Sequence, residues 1–186
     1  MQNLSGKFIA IVSTNGFEQS ELEVPLKTLR EAGATVHVIA PEAGEIKGWD
    51  KTDWGNSVPV DKTVDAVKAD DYDAIVLPGG QINPDLLRVQ PKVLELIKAF
   101  WSQKKVVAAV CHAPWLLVET GIVKGRKVTS YPSIKTDVIN AGGLWEDSDV
   151  VSDQGLVTSR KPDDLPAFCD KIAEEILEGR HERRAA

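Results

Sequence analysis

Apolar residues come along this chain in short blocks of two kinds, and the kinds alternate. Phe8-Ile9-Ala10-Ile11-Val12 is unbroken by any polar residue, the pattern of a strand covered on both faces. Leu22, Leu26, Leu29 and Ala32 then recur at helical spacing, which predicts a helix closed by Gly33. Pro25 falls inside it and is expected to bend it near its first turns. Val36-His37-Val38-Ile39 is the next strand. From Pro41 to about Pro59 the pattern changes: Gly44, Gly48 and Gly55 with Trp49 and Trp54 predict turns and a short hairpin. Ala74-Ile75-Val76-Leu77 resumes the strand pattern and stops at Pro78-Gly79-Gly80. Val93, Ile97, Phe100 and Trp101 mark an amphipathic helix, and Val106 to Val110 is a buried strand broken by Cys111. A helix from about Pro114 to Thr120, a strand near Val128, a helix near Ser133 to Asn140 and a strand near Leu156 to Ser159 follow. The last helix carries Leu165, Phe168, Ile172 and Ile176 on one face.

Strands alternating with helices predict an α/β fold, a mostly parallel sheet sandwiched by helices with right-handed crossovers. The 186 residues suit a single domain, 1–186, with a core over about 7–178 and a flexible tail at 179–186. No internal repeat or low-complexity linker divides it. Charge then excludes one class of partner. Twenty-two basic against 28 acidic residues leave a formal charge of -6, and such a surface repels phosphate backbones, so no nucleic acid is expected. The one basic cluster, Arg180, His181, Arg183 and Arg184, reads as a frayed terminus. No apolar run approaches a membrane span and no signal-peptide pattern opens the chain. With two cysteines, Cys111 and Cys169, free thiols in a reducing cytoplasm are the expectation.

In open parallel sheets ligands bind outside the carboxyl ends of the strands. Three strand ends here are chemically unusual: Thr14-Asn15-Gly16-Phe17-Glu18, Pro78-Gly79-Gly80 and Cys111-His112-Ala113-Pro114. The last has the layout of a nucleophile elbow. A sharp turn would lift the thiol clear of the sheet, the following N–H would face an oxyanion, and the new helix would favour thiolate. The bland alternative is a small buried residue, a common use of cysteine; the position favours function. His112 is either a general base or a helix-start residue, since adjacent side chains usually point apart. Glu18 is either a proton partner for the thiol or a first-turn carboxylate favoured by the helix dipole. Gly79 and Gly80 allow close backbone approach but complete no nucleotide fingerprint. No Cys-x-x-Cys or His-Glu-x-x-His spacing supports a metal, and no cofactor is called for. Cys169, beside Phe168 and Ile172 on an apolar helix face, reads as core; His37 and His181 read as structural or solvated.

Ala109-Val110-Cys111-His112-Ala113-Pro114 resembles the elbow of the PfpI family, in the ThiJ/PfpI superfamily with its class I glutamine-amidotransferase-like fold. Asp73 to Gly80, Gly16-Phe17-Glu18, Lys124 to Thr129 and Thr158 to Leu165 are similar to other family stretches, in order, over most of the chain. The resemblance implies a three-layer α/β sandwich with a flavodoxin-like central sheet. It implies Cys111 as nucleophile, Glu18 as the carboxylate touching the thiol, and backbone N–H groups of Gly80 and His112 as the oxyanion hole. It also implies a homodimer or higher homo-oligomer. In peptidase-like members an acid after the glycine turn orients the histidine across a subunit interface, and the candidate is Asp85, in a segment one residue longer than the archaeal pattern and with Asp for Glu. Glutamine hydrolysis is not expected, because no histidine stands where amidotransferases of this fold carry theirs. Three functions follow: a stress-protective cysteine enzyme acting on small reactive carbonyls or glycated protein and peptide (glyoxalase or deglycase type), an intracellular cysteine peptidase using Cys111, His112 and Asp85, or a redox sensor without turnover.

Overall fold

A computed structural model describes residues 2–184. Its centre is β1 (Phe8–Val12), and the chain winds outward from it in both directions. The first half supplies β2 (Phe17–Glu18), α1 (Gln19–Glu31), β3 (Thr35–Ala40), β4 (Glu45–Asp50), β5 (Asp53–Pro59) and β6 (Lys62–Thr63). Then come β7 (Ala74–Leu77), α2 (Ile82–Leu87), α3 (Pro91–Ser102), β8 (Val106–Val110) and α4 (Pro114–Thr120). The chain continues through β9 (Lys127–Val128), α5 (Lys135–Asn140), β10 (Leu144–Trp145), β11 (Val150–Asp153), β12 (Leu156–Ser159) and α6 (Leu165–Glu178).

Seven strands form the main sheet in the order β11-β12-β8-β7-β1-β3-β6, all parallel except the β11–β12 pair. Apart from the exposed Phe8, the apolar runs of β1, β7 and β8 are buried on both faces, as their sequences require. Ile9, Ile11 and Val110 pack with Leu22 and Leu29 of α1 and Phe168 and Ile172 of α6. Ala10, Ile75 and Ala109 pack on the other face with Val93 and Phe100 of α3 and Leu117 of α4. The result is a three-layer sandwich. Its winding direction reverses at β1, which opens a crevice at the carboxyl ends of β1, β7 and β8.

Three departures from the sequence reading matter. The expected short hairpin is a long one, β4 against β5 with a bulge between Lys47 and Trp49, and it joins β2 in a separate sheet beside the crevice. The Pro25 helix continues as one element with the proline buried in it. The tail is also not frayed as far as Arg184; its last two residues lie outside the described ones. Arg183 lays its guanidinium 3.5 Å from the centre of the Trp101 ring. It donates to the carbonyls of Trp101, Gln154 and Lys105, the last at 2.6 Å. Arg184 pairs with Asp153, and His181 N–H donates to Lys104 C=O at 3.0 Å. Arg183→Ala is expected to cost about 2 kcal/mol, from a stacked cation and carbonyls left unpaired. That lowers Tm by roughly 4–8 °C in a thermal melt. Lys27→Ala, which removes only an exposed 3.9 Å pair with Glu31, should leave Tm unchanged; equal melts for the two variants would mean the tail is not tied down.

Candidate active site

Cys111 follows the last residue of β8 and lies in the left-handed region, at φ 63°. A non-glycine residue there costs of order 1–3 kcal/mol and persists only where its surroundings fix it. Both its backbone groups are fixed. Its N–H donates to Ser159 C=O at 3.0 Å, and its C=O accepts from Tyr131 N–H at 2.8 Å. The turn points the sulfur into the crevice, where Gly80 and His112 line the same cleft as Cys111. Gly80 sits at φ +77°, and a Cβ there would lie 2.6 Å from Glu18 N and Gly16 O, so this turn admits glycine alone.

The carboxyl against the thiol is Glu21, not Glu18. Glu18 is the N-cap of α1: its Oε2 accepts from Glu21 N–H at 2.9 Å and from Ser20 Oγ–H at 2.5 Å. That cap starts the helix and carries Glu21 one turn on, to the face directed at the sheet. Glu21 is fully buried. Its Oε2 accepts from Gly79 N–H at 2.9 Å and its Oε1 has no hydrogen-bond partner, while the Cys111 thiol is its nearest titratable neighbour besides Glu18. Burial, and then the neighbouring Glu18 charge, push Glu21 up to about 8. At neutral pH it is a carboxylic acid facing sulfur. Burial also raises the Cys111 thiol, and an ionised Glu21 would raise it further; the N–H groups of Gly80 and His112 oppose both. Cys169, in the core, is pushed up to about 12 by burial.

His112 does reach the thiol. Its Nδ1 lies 3.1 Å from Cys111 Sγ and its Nε2 3.1 Å from Ser133 Oγ. The ring stacks on Tyr131 with centroids 4.8 Å apart and meets the edge of Trp115 at 5.3 Å. Burial lowers its pKa, which favours the neutral imidazole. Asp85 is exposed on α2, and within one chain the partner of His112 Nε2 is Ser133. Glu21, Ser133 and Tyr131 were not among the residues singled out from the sequence; of these only Glu21 left a local signal, its place directly before Leu22 at the start of the buried positions of α1.

Above the sulfur lies a cleft of about 410 Å³, walled by Trp49, Lys51, Ile82 and Tyr131, with Glu18 on its rim. Cys111, His112 and Gly80 line it as well. The arrangement can add a nucleophile to a carbonyl, hold the resulting oxyanion on two N–H groups and move protons from two neutral groups. No helix among the described residues is long and apolar enough to cross a membrane.

Comparison with known proteins agrees with this geometry. The model of the DJ-1/PfpI family matches residues 7–175. A putative cysteine protease, YraA of Bacillus subtilis, is 45% identical over 163 residues, 87% of this chain and 94% of that protein. The deglycase PfpI of Pyrococcus furiosus is 43% identical over 160 residues, covering 86% and 93% of the two chains. The crystal structure of Drosophila melanogaster DJ-1beta superposes with a TM-score of 0.82 at 31% identity, over 94% of this chain and 95% of that one. An elbow cysteine beside a buried acid, on this sheet order and with these relatives, places the chain in the DJ-1/PfpI family.

Proposed function

We propose that the protein is a cysteine-dependent enzyme of the stress-protective type that acts on reactive carbonyls, either free dicarbonyls or their adducts on protein. The observation that carries this reading is the buried carboxyl of Glu21 beside the elbow cysteine Cys111 at the base of an open cleft. Deglycase is the name given to several relatives, among them those of Pyrococcus furiosus and Escherichia coli.

The residues supply each step for a dicarbonyl such as methylglyoxal. The Cys111 thiol passes its proton to His112 Nδ1 as the sulfur bonds to the aldehyde carbon, and that proton is then delivered to the carbonyl oxygen to give a hemithioacetal. The N–H groups of Gly80 and His112 hold that oxygen while it is charged. Neutral His112 removes the proton from the former aldehyde carbon while the ketone oxygen takes one up, giving an enediol; a proton is then returned to the former ketone carbon as the first hydroxyl gives up its own, so that the hemithioacetal becomes a thioester of lactate. Water cleaves the thioester, releasing lactate and the thiol. No electrons leave or enter. Purified protein should convert methylglyoxal to lactate, and Cys111→Ala should reduce the rate by at least about 1000-fold. Lactate formed equally fast by Cys111→Ala would sink the proposal. Iodoacetamide should label Cys111 far faster than Cys169, which the core encloses.

The Sγ–Nδ1 contact of 3.1 Å also favours a second reading, a cysteine peptidase. That reading needs an acid on His112 that one chain does not supply, so Asp85 of a second copy would have to provide it. Peptide cleavage that is lost in Asp85→Ala and depends on protein concentration would support it; cleavage that survives the substitution would remove the triad.

A further inference from the structure

We propose that Ser133 completes the site within a single chain, as the positioning residue that orients His112 and connects its buried ring to solvent. The inference rests on the reading of Cys111 as the nucleophile. A continuous row of polar atoms runs outward from the sulfur: Sγ to Nδ1 at 3.1 Å, and Nε2 to Ser133 Oγ at 3.1 Å. The imidazole is buried, and Ser133 is exposed. The ring is also held in place, with Tyr131 stacked on one face and Trp115 at its edge. Ser133 follows Tyr131 by two residues, and Tyr131 N–H is bonded to Cys111 C=O at 2.8 Å. The segment that fixes the elbow thus places the hydroxyl.

A hydroxyl on Nε2 differs in kind from a carboxylate. A carboxylate only accepts, so it would keep the proton on Nε2. A serine hydroxyl both donates and accepts, so it supports either tautomer. The relay then balances as follows. The S–H bond breaks and Nδ1–H forms, Nε2–H breaks and a new Oγ–H forms, and the original Oγ proton passes to water. One proton has moved from sulfur to solvent, and the imidazole is neutral before and after. This suits a buried ring, where a lasting positive charge is disfavoured. The reverse transfer returns a proton to the sulfur at product release.

The test is nitrogen-15 NMR of the histidine rings, with His112 identified by the signals missing from His112→Asn. In the wild-type protein the two His112 nitrogens should show shifts averaged between the tautomers. Ser133→Ala should move them to the limits of one tautomer, and Ser133→Thr, which keeps the hydroxyl, should restore the average. With methylglyoxal as substrate, kcat should fall about tenfold in Ser133→Ala at unchanged KM, a part of what a general base contributes, and recover in Ser133→Thr. Unchanged shifts and kcat in Ser133→Ala would overturn the proposal. So would wild-type kcat in Ser133→Ala together with loss in Asp85→Ala, which would hand the role to an acid from a second copy. The NMR readout needs no turnover: a wild-type protein inert toward methylglyoxal would sink the proposed function and leave the tautomer result to decide Ser133.

Discussion

Glu21→Gln is expected to abolish most of the loss of stability that the wild-type protein undergoes as pH rises from about 5 to about 9. In the folded chain the Glu21 carboxyl keeps its proton up to about 8, against an ordinary value of 4.5. Between those values the folded state binds the proton and the unfolded state has released it, so stability falls as pH rises. The contribution of the neutral acid is complete below the ordinary value and is lost as pH passes through the raised one. At about 1.36 kcal/mol per pH unit, that interval amounts to roughly 4–5 kcal/mol. The cause is local: no water reaches the group, Glu18 repels its charged form, and the N–H groups of Gly79 and Gly80 offset only part of that cost. Glutamine is neutral throughout and fills nearly the same volume. Urea unfolding of both proteins at several pH values measures the difference directly, provided the slope m stays constant. The gap between them should change steadily by several kcal/mol in favour of the variant as pH rises. Parallel curves would mean that Glu21 is ionised throughout the range, and the acid assigned to the site would be lost with it.

Which parts of this site the sequence could disclose follows from how local each one is. Cys111 was legible because everything that defines it is contiguous: five buried residues of β8, one nucleophile, then proline opening α4. The N–H of His112 follows from the same local logic, whereas Gly80 as an oxyanion donor came only from the family resemblance. The carboxyl was placed one turn too early. Family resemblance pointed to the Phe-Glu pair, but Glu18 spends its oxygen on capping α1, and the cap rotates Glu21 inward. The signal was present in the helix pattern, since Glu21 falls with Leu22, Pro25 and Leu29 on the buried face. A charge on an apolar stripe asks for a reason. Ser133 gave no such signal, because only the tertiary bond between Tyr131 and Cys111 brings it to His112. α2 went unseen because Ile82-Asn83-Pro84-Asp85-Leu86-Leu87 is one short turn-rich segment with a proline inside. The strand β11 is short and half polar, and antiparallel pairing with β12 specifies it. The tail misled through composition: four basic residues read as solvated, whereas Arg183 meets a flat indole and three carbonyls that lie far away in sequence.

Gly79→Ala is expected to disable the enzyme by at least about 100-fold while leaving it folded, because a misplacement of about 1 Å at a reacting atom costs that much. A Cβ at position 79 would lie 2.5 Å from Glu21 Oε2, 2.7 Å from Val110 O and 2.8 Å from Cys111 Cβ. None of the three is the loose end of a side chain. Val110 O belongs to a central strand, Cys111 Cβ to a turn held by two backbone hydrogen bonds, and the carboxyl to the N–H of Gly79 itself. Relief therefore has to move the sulfur away from its acid, its N–H donors, or both, at about 1–3 kcal/mol of overpacking. Gly121→Ala supplies the comparison. That residue is at φ +74° with nothing within 4 Å of the added methyl, so it incurs backbone strain alone, of order 1 kcal/mol, remote from the chemistry. If both variants lose comparable stability in urea and only Gly79→Ala loses turnover of methylglyoxal, the loss comes from geometry at the sulfur and not from general loosening. If Gly79→Ala retains turnover within a few-fold, the sulfur is not held by this three-way contact, and the elbow tolerates more displacement than its closed hydrogen bonding implies.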